Sequence, residues 1–292
     1  MHRDTMSKSP ALAGGLQAGS RAHPSRRLVG EPVDGLFDFR KTPSFAGAYI
    51  DTYYRDKPPT NDEQRVFQFL VRQIRELPQQ ILMLEVGCGP TVHHVLPFVH
   101  AVDEIHVADY LPENLSEIDK WKMGAPDACR WNHYARLVLE LEARPFEADE
   151  VRALEARAKA KVTRLLSCDL TQHHVLGRDA AYPVVSAFYC TEEVGISLAR
   201  WEEVMANLAR VVAPGGRLFL SCLAHTDFYR VGGSNYPCAR VTAHDVERLL
   251  PHLGFDMNAT VIESSSVDGQ RDEGIVGVVL AAATKRPAAA WA

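Results

Sequence analysis

The chain has 292 residues, 46% of them hydrophobic, and 37 acidic against 32 basic side chains give a net charge of −5. That balance excludes the basic face with which proteins hold nucleic acid, and no apolar run approaches the roughly eighteen residues of a membrane span. Six cysteines (Cys88, Cys129, Cys168, Cys190, Cys222, Cys238), without a C-x-x-C pair or a secretory leader, fit reduced thiols and a cytoplasmic location.

Residues 1–35 are rich in Ser, Gly, Ala, Pro and Arg without periodicity and are predicted to be a disordered extension. One domain is expected over 36–285, opened by a helical lid, with 286–292 as a flexible tail. The aromatics of Phe45–Tyr54 recur at helical spacing. Thr60 followed three residues later by Glu63 is a capping box. It opens a helix through Val66, Phe67, Phe69, Leu70, Ile74 and Leu77, which Pro78 helps to end. A strand over Ile81–Val86, a helix near Val92–Phe98, a strand over Glu104–Asp109 and a helix from Pro112 through Trp121 follow. Residues 124–145 are less regular, and Glu147–Leu166 reads as a charged amphipathic helix. Next come a buried strand at Val184–Tyr189, a helix at Leu198–Val212 ended by Ala213-Pro214-Gly215-Gly216, and a strand at Arg217–Leu223. A helix over Ala243–Leu253, capped by Thr242, leads to a hairpin of strands near Ala259–Glu263 and Ile275–Ala283. This alternation predicts an α/β fold: a doubly wound, Rossmann-like, seven-stranded and mostly parallel sheet whose final strand is antiparallel.

Chemistry concentrates at predicted strand ends. Glu85-Val86-Gly87-Cys88-Gly89-Pro90-Thr91 closes one strand, and Asp109 closes the next, twenty positions after Gly89. Glycines there bring bare backbone amides to a ligand, and an acid at the second tip suits the hydroxyls of a ribose. The dinucleotide fingerprint requires a third glycine where Val92 stands, and no phosphate loop occurs in the chain. An adenosine-containing ligand without phosphate remains, as in the first motif of the S-adenosylmethionine (AdoMet) methyltransferases. Asp169 and the stretch after Phe188 fall at further strand ends. The pairs His93-His94 and His173-His174 have no Cys, His or carboxylate at ligand spacing, so solvated or helix-start histidines and no metal are expected.

Five segments resemble the nicotinamide, phenylethanolamine, indolethylamine and thioether methyltransferases, from about Phe45 to Lys285. They are the tyrosine helix ending Tyr53-Tyr54; Gly87-Cys88-Gly89-Pro90-Thr91; Asp109-Tyr110 with Asn114-Leu115 and Trp121; Cys168-Asp169-Leu170-Thr171-Gln172; and Ser186-Ala187-Phe188 leading to Pro214-Gly215-Gly216. The resemblance implies that Tyr49 and Tyr54 close over the methionine end of AdoMet. Gly87, Cys88, Gly89 and Thr91 would line its methionine and ribose, Asp109 and Asn114 hold the ribose, and Tyr110 flanks adenine. Asp169 and the Leu170 amide would read the adenine edge, with Cys168 and Ala187 beside them.

On the acceptor side, Ser186–Glu193 carries one residue more than the matching stretch of the vertebrate relatives. Allowing for it puts Glu192 in place of their substrate carboxylate, with Glu193 as the rival. Phe188, Tyr189, Cys222, Thr226 and Tyr229 would line the acceptor, Tyr229 from a lid, and Glu273 would supply a second carboxylate. The resemblance thus implies in-line transfer of a methyl group to nitrogen of a small amine or heteroaromatic, leaving S-adenosylhomocysteine, in a monomer or homodimer. A carbon acceptor such as indole C3 of a tryptophan-derived cyclodipeptide is the alternative, with Cys222 suiting a less polar ring. A third reading is an AdoMet-binding module without catalysis.

Overall fold

The computed structural model describes residues 37–77, 81–267 and 274–288. The predicted extension, Pro78, Glu273 and the end of the tail lie outside them. Among the described residues nine strands run in chain order as β1 (Leu82–Val86), β2 (Glu104–Asp109), β3 (Val162–Ser167), β4 (Tyr182–Phe188), β5 (Val212–Ala224), β6 (Phe228–Val231), β7 (Ser234–Pro237), β8 (Phe255–Ser266) and β9 (Gly277–Lys285). Eight α-helices accompany them among the described residues: α1 (Phe45–Tyr53), α2 (Asn61–Ile74), α3 (Pro112–Met123), α4 (Asn132–Leu141), α5 (Ala148–Lys161), α6 (Thr191–Val194), α7 (Leu198–Arg210) and α8 (Ala243–His252). Seven strands form one sheet in the order β3-β2-β1-β4-β5-β9-β8. β1 to β5 are mutually parallel, and β9 runs antiparallel to both of its neighbours.

Successive strands step outward from β1 to β3 and then return to β4 on the other side of β1. The order reverses between β1 and β4, and open α/β sheets bind ligands at the carboxyl ends beside such a reversal. Alternation along β1 divides the core. Met83 packs with Phe67, Phe98 and Trp131 under α2 and α4, whereas Leu84 and Val86 pack with Trp201 and Leu208 of α7. A smaller cluster of Phe45, Tyr229, Val231, Tyr236 and Ile275 sits over the carboxyl ends and ties α1 to the β6–β7 hairpin.

Several boundaries differ from the sequence reading. The charged helix stops at Lys161, and Val162–Ser167 becomes the edge strand β3, paired with β2. β-branched Val162 and Thr163 favour extended backbone there, while the apolar Leu165 and Leu166 fit either pattern. Residues 132–141, expected to be irregular, form α4 with Tyr134, Ala135, Val138 and Leu139 buried on one face. The segment after the glycine turn is a 3-10 helix, His93–Phe98, holding Pro97. β5 begins at Val212 and runs through the Pro-Gly-Gly stretch with a register shift against β4, and glycine is required at 216 because a Cβ there would lie 2.9 Å from the Pro183 carbonyl oxygen. The β6–β7 hairpin was not predicted, although Gly232-Gly233 between aromatic residues is a turn signal.

Candidate active site

A cleft of about 1040 Å³, counting its mouth, opens at the carboxyl ends of β1, β2 and β4. Its floor is the turn after β1. Gly87 has φ +67, and a Cβ there would sit 2.6 Å from the Cys190 side chain. At Gly89, φ is +58 and a Cβ would meet no protein atom, only the cleft. The Gly87 N–H donates to the Ala108 carbonyl (2.8 Å) and the Gly89 N–H to Asp109 Oδ2 (2.8 Å), so the turn is latched to the tip of β2.

Asp109 is the hub of that tip. Its Oδ1 accepts from the Leu111 N–H (2.8 Å) and from Asn114 Nδ2 (2.9 Å), while Asn114 Oδ1 is buried without a partner. Burial raises the Asp109 carboxyl, against the pull of these donors. Asp169 Oδ1 accepts from the Thr171 N–H (2.9 Å) and hydroxyl (2.6 Å). Tyr49, Tyr54, Gly87, Cys88, Gly89, Thr91, Asp109, Tyr110, Asn114, Cys168, Asp169 and Leu170 all line the cleft, as do Phe188, Tyr189 and Glu193. Tyr110 remains 45% exposed, an uncovered ring at the cleft wall. Ala187 does not line it; its side chain packs between β4 and α7. Phe39 and Arg40, which no motif marked, also line the cleft, as do Phe45 and His94.

A second cavity of about 490 Å³ adjoins the first and shares Tyr49, Tyr54, Tyr189 and Glu193 with it. Tyr53, Tyr134, Leu223, Tyr229 and Ile275 complete its apolar walls, with Asp62 and Glu63 as further acids. Tyr189, at φ +50, is in the left-handed region that non-glycine residues seldom enter. That bend sets the phase of the following turn. Cys190 tucks under Gly87, Thr191 and Glu192 point into the protein, and Glu193 faces both cavities.

Three expectations are corrected here. Glu192 lines neither cavity and is fully buried; its Oε1 accepts the Leu223 N–H at 2.6 Å, and the Thr191 hydroxyl donates to Oε2 at 3.3 Å. Cys222 is equally buried, its Sγ 3.4 Å from that hydroxyl. Thr226 is also enclosed and braces the backbone instead, donating to the Ala224 carbonyl (3.0 Å) and accepting from the Val276 N–H (3.3 Å). These side chains form a wall behind the cavity. Tyr229 does line it, and its hydroxyl, without a hydrogen-bond partner in the protein, faces the Glu193 carboxyl.

His93 and His94 open the 3-10 helix, one of the two expectations for them, but they are not solvated. Both are buried, and Glu63 of α2 stands against them. Glu63 gives its backbone N–H to the Thr60 cap, but its side chain turns inward to the histidines, so the capping box forms by half. Burial alone would raise the Glu63 carboxyl, yet the two histidines hold it well below the usual range, and burial pushes His93 down to about 4. His173 and His174 are exposed.

Asp62, Glu63, Glu85, Asp109 and Glu192 are buried, and no lysine or arginine is buried among the described residues. Buried carboxylates without buried cations suit a positively charged ligand.

A reversing parallel sheet, a glycine turn latched to an acid, and a 3-10 turn in place of a phosphate-binding helix start belong to the class I AdoMet-dependent methyltransferases. This chain is an enzyme of that class. Residues 40–286 match the NNMT/PNMT/TEMT family model, and the chain belongs to that family. It is 24% identical over 240 residues to human nicotinamide N-methyltransferase, covering 79% of this chain and 90% of the relative. It is 27% identical over 214 residues to mouse indolethylamine N-methyltransferase, covering 70% and 80%. The fold also matches magnesium protoporphyrin IX methyltransferase from Synechocystis PCC 6803 with bound SAM: TM-score 0.50 and 14% identity, over 84% of this chain and 92% of that one. AdoMet is the cofactor. The site fits it: the unpartnered Asn114 Oδ1 and Asp109 suit a ribose, the space over Gly89 admits a ligand, and the acidic surroundings suit a sulfonium and an ammonium. No helix among the described residues is long and apolar enough to cross a membrane.

Proposed function

We propose that the chain methylates nitrogen of a small amine, with Glu193 as the carboxylate that holds the acceptor. The observation that carries this reading is the second cavity, walled by tyrosines, acidic, and joined to the cofactor cleft through Glu193. Relatives named for nicotinamide, indolethylamine and phenylethanolamine support a nitrogen acceptor.

In the proposed arrangement Asp109 and Asn114 hold the ribose, Tyr110 flanks adenine, and Tyr49 and Tyr54 cover the methionine end. AdoMet, when bound, supplies a methyl group on a sulfonium whose departure leaves a neutral thioether. The protein's task is therefore placement, and well-oriented reactants account for roughly 7–11 kcal/mol of a barrier. Tyr53, Tyr134, Tyr189 and Tyr229 exclude water and present ring faces to a cation. Burial, and then the charge on Glu192, raise the Glu193 carboxyl well above its ordinary value. Such a carboxylate is a stronger base than one in water. It anchors the ammonium, takes its proton, and frees the nitrogen lone pair. The Tyr229 hydroxyl faces the same carboxyl and steadies its ionised form.

The indole-carbon alternative drew on Cys222 as a less polar wall. Cys222 lies outside both cavities and no longer supports it. Incubation with labelled AdoMet and a panel of primary amines, pyridines and indole dipeptides tests the proposal. Label on an amine nitrogen is the expected product, and label confined to indole C3 would overturn the reading.

A further inference from the structure

We infer that Glu63, His93 and His94 form a binding site for one divalent transition-metal ion of the zinc type. The inference rests on side chains outside the proposed methyl-transfer steps and does not depend on the identity of the acceptor.

The three residues are the one grouping of His, Cys and carboxylate groups among the described residues whose donor atoms all fall within 4.8 Å of one another. His93 Nε2 lies 3.5 Å from Glu63 Oε1, and His94 Nε2 lies 3.5 Å from Glu63 Oε2. Two donors bound at ~2.0–2.1 Å to a tetrahedral ion stand about 3.3 Å apart. Each histidine therefore stands at nearly ligand spacing from one oxygen of the carboxylate, and one donor from each residue lies within 4.8 Å of the others. Glu63 Oε2, His93 Nε2 and His94 Nε2 are all buried and make no hydrogen bond. Orphaned buried polar atoms are costly, and three converging on one point call for a shared partner.

The surroundings hold the donors in place. The His93 ring lies parallel to Trp131 (7°, centroids 5.1 Å apart) and to Phe67 (10°, 6.1 Å). The Tyr54 hydroxyl donates to Glu63 Oε1 at 3.4 Å, as a supporting residue of a carboxylate ligand does. Two imidazoles and one carboxylate suit Zn²⁺, Co²⁺ or Ni²⁺ better than Mg²⁺ or Ca²⁺. His94 lines the cofactor cleft and Glu63 the second cavity, so an ion can enter from either. A bound ion would join α2 to the turn that follows the glycine loop.

The test uses the full chain, stripped with chelator and titrated with Co²⁺ while visible absorption is recorded, then with Zn²⁺ by calorimetry. One Co²⁺ per chain is expected, with visible bands, no thiolate charge-transfer band in the near ultraviolet, and a higher melting temperature. Glu63→Gln and His94→Asn should each weaken binding by more than roughly 100-fold, the upper end of what losing even a supporting residue costs. Circular dichroism reports whether each variant is folded; should Glu63→Gln not fold, His94→Asn decides. Three results overturn the proposal: no Co²⁺ bands, a thiolate band that places the ion on cysteine, or unchanged affinity in a folded variant. In those cases the cluster is an ion pair alone.

Discussion

Glu192 and Glu193 are adjacent in sequence and burial raises both carboxyls, but only Glu193 faces the cavities, and replacing Glu192 with Gln separates their roles. Burial raises the Glu192 carboxyl from 4.5 to about 7, although the Leu223 N–H pulls the other way. Its folded-state pKa lies above the unfolded value, so the native state binds the extra proton. The stability it contributes is complete below pH 4.5 and is lost as pH rises through about 7. The interval from 4.5 to about 7 corresponds to a loss of about 3 kcal/mol. Gln keeps an oxygen for the Leu223 N–H and cannot ionise. Urea unfolding of both proteins at several values between pH 4.5 and pH 8 isolates the effect, because the other titrations largely cancel in the difference. The variant should gain on the parent by about 3 kcal/mol across that range, with cofactor affinity and the KM for the acceptor little changed. Parallel stability curves, or a large rise in that KM, would show that Glu192 faces the acceptor after all.

Glu193→Gln also removes a carboxyl that burial raises, so it too should gain stability on the parent as pH rises, but unlike Glu192→Gln it should lower kcat/KM for an amine by roughly 10- to 100-fold, the scale of one hydrogen bond to a charged group. Asp109→Ala leaves the Gly89 and Leu111 N–H groups and Asn114 Nδ2 without their acceptor. Calorimetry should show AdoMet affinity reduced more than roughly tenfold, and unchanged affinity would misplace the ribose. Gly89→Ala puts a methyl group into the open cleft at a left-handed φ, a strain of about 1–2 kcal/mol. Its product should fold yet bind AdoMet poorly, whereas Gly87→Ala meets Cys190 and should lose stability in a thermal melt.

The cofactor side was the more legible because its chemistry is local. A strand, a glycine turn and the acid closing the next strand are consecutive in the chain, and parallel pairing of β1 with β2 brings Gly89 to Asp109. The acceptor side depends on long-range geometry. Glu63 reaches His93 and His94 across thirty residues, and no ligand spacing records that. Glu192 and Glu193 cannot be told apart by counting, because the left-handed Tyr189 sets which of them turns outward. Edge strand β3 was read as helix since the same residues satisfy both periodicities. The β6–β7 hairpin carried a Gly-Gly signal, but its two strands are only four residues each.

The clasp between α1 and that hairpin bears on turnover. The Tyr53 hydroxyl donates to the Arg230 carbonyl (2.7 Å), the Gly232 N–H donates to Thr52 Oγ1 (3.1 Å), and the Phe45 and Tyr236 rings meet edge to face. Two segments about 180 residues apart therefore form a single gatepost beside the two cavities. Whatever loosens one releases the other, so spent thioether and methylated product would share one exit event. Amide exchange at Thr52 and Gly232 should then proceed at a common rate, set by that opening.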